Sequence, residues 1–125
     1  MKRDFDVLRA VLLKVEAIGD PEEPQINSLS LEGIDQPITN EHVKLAIESE
    51  LIEGICKFST NNRILLTTIR GLTPRGYDFL DNVRNDAIWG KIKNHVASTV
   101  GTASLEVIEK FASQIISAAV SRPNR

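Results

Sequence analysis

Two short runs rich in apolar and β-branched residues, Ile55 to Ser59 and Ile64 to Ile69, flank Thr60-Asn61-Asn62-Arg63, a tetrapeptide of turn composition. A hairpin here, with three- and four-residue periodicity on both sides, points to an α+β, mostly helical fold. Phe5, Leu8, Val11, Leu12, Val15 and Ile18 place a helix over residues 4–18 with Asp4 as its N-cap, ended by Gly19-Asp20-Pro21. The Pro-bounded stretch 21–24 is a loop, and Ile26, Leu29 and Leu31 suggest a short half-buried strand before Gly33. A second helix is expected from Asn40 to Leu51, with Thr39 as cap, Ile38 stapled onto Val43, and a stop near Gly54. After the hairpin, Thr73 caps a third helix with Pro74 at its first position and Tyr77, Leu80 and Val83 on its inner face. Ile88, Ile92 and Val96 continue in a fourth helix. A break at Thr99 to Thr102 precedes a fifth, marked by Leu105, Ile108, Ala112, Ile115 and Ala119.

At 125 residues and 13.9 kDa the chain suits one domain, and 42% hydrophobic with 26% charged residues supplies a modest core. Intrinsic disorder and collagen-like structure are excluded for the body by that composition, with only 7 Gly and 5 Pro. One cysteine excludes an internal disulfide framework, and two distant histidines do not match zinc-ligand spacings. Met1-Lys2-Arg3-Asp4-Phe5-Asp6 interrupts any signal-peptide apolar stretch, and no apolar run approaches the roughly 20 residues of a membrane span, so a cytoplasmic protein is expected. The expected organisation is a core over 1–84, a helical extension over 85–121 that packs on the core or forms a homodimer, and a frayed tail at 122–125.

Net charge is −2, but its distribution is uneven. Between residues 20 and 54, Asp20, Glu22, Glu23, Glu32, Asp35, Glu41, Glu48, Glu50 and Glu53 face a single Lys44. From Ile55 to Tyr77 there are Lys57, Arg63, Arg70 and Arg75 and no acid. An anion-binding surface would centre on this second block.

Helix, short strand, helix, hairpin, helix is the order of a winged-helix domain with the hairpin as a two-stranded wing, here with two additional C-terminal helices. Between Gly19 and Pro37 no helical periodicity is present, so the first helix of the usual helix-turn-helix pair is short, irregular or absent. The opening Met1-Lys2-Arg3-Asp4, the segment Leu51-Ile52-Glu53-Gly54, and above all Gly76-Tyr77-Asp78-Phe79-Leu80-Asp81 with Arg84, Asp86, Trp89 and Lys93 are similar to an uncharacterised family of small bacterial and prophage proteins. This is the domain-of-unknown-function family numbered twenty-five thirteen. The resemblance covers roughly residues 1 to 112. It implies a winged-helix-like fold in a bacterial or phage cytoplasm and transfers no catalytic or binding residue.

Two functional readings follow. In the first, the chain is a regulatory protein that binds double-stranded DNA through its wing. Lys57, Asn61, Asn62, Arg63, Arg70 and Arg75 would be the contacts, with His42 and Lys44 approaching from the second helix. In the second, the acidic face of residues 20–53, with Glu41, Glu48, Glu50 and Glu53, engages a host protein and no DNA. An enzyme is the least favoured class. His42 and His95 have no partners at metal spacing, Cys56 lies in an apolar strand without a base, and Glu22 and Glu23 sit in a loop where nothing desolvates either. No phosphate-binding glycine loop is present, and neither metal nor cofactor is expected. Trp89 is expected to pack in the interior.

Overall fold

The computed structural model describes residues 3–23, 25–99 and 104–121. It is α+β and mostly helical, in the order α1 (Phe5–Ile18), β1 (Ile26–Asn27), α2 (Gln36–Glu48), β2 (Ile52–Phe58), β3 (Ile64–Leu72), α3 (Pro74–Val83), α4 (Asp86–Thr99) and α5 (Leu105–Ser121). The chain divides into two compact units, residues 1–78 and 79–125, so the division falls within α3 and earlier than residue 84. The break before α5 lies mostly outside the described residues, as does the tail at 122–125.

In the first unit, α1 starts where Asp4 accepts hydrogen bonds through its carboxylate from the Asp6 amide at 2.9 Å and the Val7 amide at 3.4 Å. Its buried stripe is Val7, Leu8, Val11, Leu12 and Val15. The three strands form an antiparallel sheet in the order β1-β3-β2, so β3 is central and β2 is an edge. The short strand β1 is confined to two residues, and Leu29 beyond it is buried without being part of the ladder. Among the described residues no helix lies between β1 and α2, so this order is that of a winged-helix unit short of one helix.

Both ends of α2 differ from expectation. The helix begins at Gln36, not Asn40, because Pro37 stands in the first turn, where its fixed φ suits the helix and its missing amide has no partner to lose. Asp35 occupies the cap position without a side-chain bond. Thr39 is therefore inside the helix, its hydroxyl donating back to the Asp35 carbonyl at 3.1 Å. The helix ends at Glu48, not near Gly54. Glu50 takes the left-handed conformation (φ 61) and donates to the Ile47 carbonyl, while Leu51 donates to the Ala46 carbonyl at 2.9 Å. This pair of bonds closes a helix in the Schellman manner, with glutamate where glycine is usual. Gly54 lies instead within β2, where a Cβ would strike the Thr68 carbonyl of β3.

Two irregularities in the β2–β3 register, between Glu53 and Gly54 and between Lys57 and Phe58, leave Arg70 and Leu65 of β3 without opposite residues. Between them Gly54, Ile55, Cys56 and Lys57 pair regularly with Ile69, Thr68, Thr67 and Leu66. The base of the hairpin is locked to α3. Thr73 donates its amide to the Leu51 carbonyl at 3.0 Å and its hydroxyl to the Glu50 carbonyl at 2.6 Å. Its hydroxyl also accepts from the Gly76 amide at 2.9 Å, the expected cap. Tyr77, expected on the inner face, is 48% exposed.

In the second unit Phe79, Leu80, Val83, Trp89, Ile92, Val96, Ile108 and Ala112 are buried. The helices α4 and α5 pack on each other, with the His95 and Phe111 rings edge to face at a centroid separation of 4.3 Å.

Two substitutions test the first unit. A Cβ at Gly76 would collide with the Leu51 carbonyl, so Gly76→Ala is expected to destabilise the protein by about 3 kcal/mol in urea unfolding. Among the described residues the buried Thr67 hydroxyl has no hydrogen-bond partner, so Thr67→Val should stabilise the protein by about 1 kcal/mol and raise its urea midpoint accordingly.

Candidate functional site

Local sequence shapes the wing tip. Ser59 donates its amide to the Arg63 carbonyl at 2.8 Å and accepts from the Asn62 amide at 3.0 Å. Its hydroxyl accepts from the Arg63 amide at 3.2 Å and bonds the Asn61 side chain. Asn62 adopts φ 63, a conformation that asparagine tolerates better than most residues. Asn61, Asn62 and Arg63 are all exposed at this tip.

The tip and the start of α2 border an open cleft of about 590 Å³, with Pro37, Ile38 and Ile64 as its apolar lining and Glu41, Asn62 and Arg63 among its polar lining. Gln36 on the same rim is held by its amide, which donates to the Leu29 carbonyl and to Asn40, both at 2.8 Å. The lining is mixed, with apolar and polar side chains and one charge of each sign, Glu41 and Arg63.

The eight residues expected to contact DNA are dispersed. Lys57 and Arg63 are exposed and, among the described residues, make no ion pair or hydrogen bond through their side chains. Arg70 lies 3.9 Å from Glu53, an exposed pair of small energetic weight. Arg75 donates to the Ser49 carbonyl at 3.1 Å, placing its charge at the negative end of α2. The Lys44 ammonium lies 5.8 Å from the centre of the Phe58 ring. His42 is withdrawn from any surface, at 1% exposure. Its Nε2 accepts from the Asp4 amide at 2.9 Å and its Nδ1 bonds the Ile38 carbonyl at 2.8 Å, so one neutral tautomer satisfies both and ties the start of α1 to α2. This packing role corrects the expectation that His42 approaches DNA.

The acids are placed differently. Glu41 and Glu48 are exposed on α2, Glu50 is exposed in the turn after it, and Glu53 is exposed on β2. Sequence reading missed the apolar component of this surface. Ile55 is 58%, Phe58 47% and Leu65 67% exposed, in the two strand runs rich in apolar and β-branched residues. The signal was available in part, since an edge strand on a small unit has one face without cover. Cys56 is half-buried rather than fully enclosed. Burial pushes its thiol above the ordinary range, opposed by Lys44 and reinforced by Glu48 and Glu41. Among the described residues no group of three or more His, Cys, Asp or Glu side chains is arranged to hold a metal, and no helix is long and apolar enough to cross a membrane.

A helical α+β unit with a hairpin wing is the class of protein these features define. The chain belongs to the family described as hypothetical protein (DUF2513), whose model matches residues 2–103. It is also similar to an uncharacterized protein of Haemophilus influenzae, 33% identical over 117 residues, covering 94% of this chain and 97% of that one. No solved structure matches.

Because Cys56 is the sole thiol, alkylation reports its ionisation directly. Iodoacetamide should react more slowly at pH 8 than with a free cysteine. Lys44→Ala, which removes the charge favouring thiolate, should slow it further, while Glu48→Gln should speed it.

Proposed function

We propose that this chain is a protein-interaction module whose contact surface is the solvent face of α2 with the cleft at its start. The observation that carries the reading is the composition of that face. The helix in the recognition position presents Glu41 and Glu48 to solvent, while His42 is buried and Lys44 is drawn onto Phe58. Such a surface repels a polyanion and favours a partner segment carrying Lys or Arg beside an apolar side chain, the latter seated against Ile38 and Ile64. Glu50, in the turn after α2, extends the acidic rim.

A second reading, double-stranded DNA binding in a regulatory protein, is favoured by the exposed and unpaired Lys57 and Arg63 at the wing. Arg70 is exposed too but lies 3.9 Å from Glu53, and Arg75 is bonded to the end of α2, so few cations are left for this role, in which affinity for duplex scales with the number of phosphates neutralised.

Fluorescence anisotropy with a labelled duplex separates the two. The wild-type chain is expected to show no salt-dependent binding. A steep salt slope abolished by Lys57→Ala with Arg63→Ala would replace the interaction reading with the DNA one. In parallel, a basic partner captured at low salt should be lost on Glu41→Lys with Glu48→Lys and kept on Arg63→Ala.

A further inference from the structure

We propose that two copies of this chain pair antiparallel along β2, about a twofold axis at Ile55, joining two three-stranded sheets into one of six strands. This inference is independent of the reading of α2.

The argument begins with the free edge. In the order β1-β3-β2, one side of β2 pairs with β3, and among the described residues no strand pairs with the other. Which groups face outward follows from one bond. Ser28 donates to the Thr67 carbonyl at 2.9 Å, so Thr67 turns its backbone groups toward the β1 side. Alternation along an antiparallel strand then turns Thr68 toward β2, where its opposite residue is Ile55. Ile55 therefore directs its amide and carbonyl inward, and Gly54 and Cys56 direct theirs to the open edge.

A twofold axis at Ile55 sets Gly54 of one copy opposite Cys56 of the other. These are the residues with outward-facing donors and acceptors, so each such pair exchanges two hydrogen bonds. Ile55 then meets Ile55 of the second copy in a non-hydrogen-bonded pair, where side chains approach most closely. At 58% exposure, Ile55 is an apolar side chain that this contact would cover. The same register sets Glu53 of each copy opposite Lys57 of the other. Both are exposed, and they are opposite in sign. Moving the axis to Gly54 or Cys56 would set like backbone groups correctly but lose both charge pairs. Charge and hydrogen bonding thus agree on one register. Glu53 already lies 3.9 Å from Arg70, so each pair would extend an existing exposed contact rather than bury a lone charge.

The test uses the full chain. Light scattering and sedimentation equilibrium should show a concentration-dependent dimer. Lys57→Glu sets like charges opposite each other at two places and is expected to weaken dimerisation roughly tenfold, while Glu53→Lys combined with Lys57→Glu should restore it to about the wild-type value. Both positions are exposed, and circular dichroism checks that the variants keep their fold. In a Cys56→Ser background, Ile55→Cys should oxidise readily to a linked dimer, because Cα atoms in such a pair lie about 4.5 Å apart, within disulfide range. Lys57→Cys should not, since each copy would lie about 13 Å from the other along the strand. A wild-type chain that stays monomeric overturns the proposal. So does a dimer indifferent to Lys57→Glu, as one held through α5 would be, or linkage at position 57 as fast as at 55.

Discussion

The first unit depends on the close approach of Gly76 to the Leu51 carbonyl. At this point the end of α2, the start of β2, the end of β3 and the start of α3 meet within a few residues. Thr73 bonds the carbonyls of both Glu50 and Leu51, and Arg75 reaches that of Ser49. Three consecutive carbonyls that a helix terminus and its following turn would leave unpaired are thereby satisfied by one three-residue stretch. The register of the hairpin follows, because Ile52 opposite Leu72 is the rung next to this lock. The second anchor, His42 between Asp4 and Ile38, fixes α1 on α2 at the far end of the same helix.

Much of the fold was legible because its signals are local. Asp4 and Thr73 cap the helices assigned to them, and the turn at 60–63 joins the two strands expected to flank it. The ends of α2 were not legible because two local rules competed. Thr39 reads as a cap by residue type, yet Pro37 permits an earlier start and the loop residue Leu29 supplies a carbonyl to hold Gln36. Gly54 reads as a helix stop, yet its glycine is required by the closeness of β3, and Glu50 bears the left-handed strain of the true terminus. Neither fact is local to the residue concerned.

The candidate site was less legible, since a block of charge in sequence is not a patch in space. The four exposed cations between Ile55 and Tyr77 go to different tasks: Arg75 bonds a helix end, Arg70 lies beside Glu53, and Lys57 and Arg63 make no side-chain hydrogen bond or ion pair among the described residues. For Lys57 and Arg70, strand alternation and the two register shifts set the placement, and their positions depend on pairing across the sheet. The acids of α2 kept their exposure because a helix with one buried stripe turns its remaining residues outward whatever lies beside it. Helical amphipathicity could therefore be read from spacing where strand exposure could not.

The two register shifts in β3 also bear on how this sequence can vary in length. Leu65 and Arg70 are already extra residues, taken up without disturbing the four paired rungs between them. Deleting one residue anywhere from Leu66 to Ile69 has no such reserve to draw on. It would carry Thr67 or Ile69, both buried, to the opposite face and set Gly54 against a side chain where only a carbonyl now fits. The exposed turn at 60–63 is free of that constraint, and the central strand acts as the ruler against which the rest of the unit is measured.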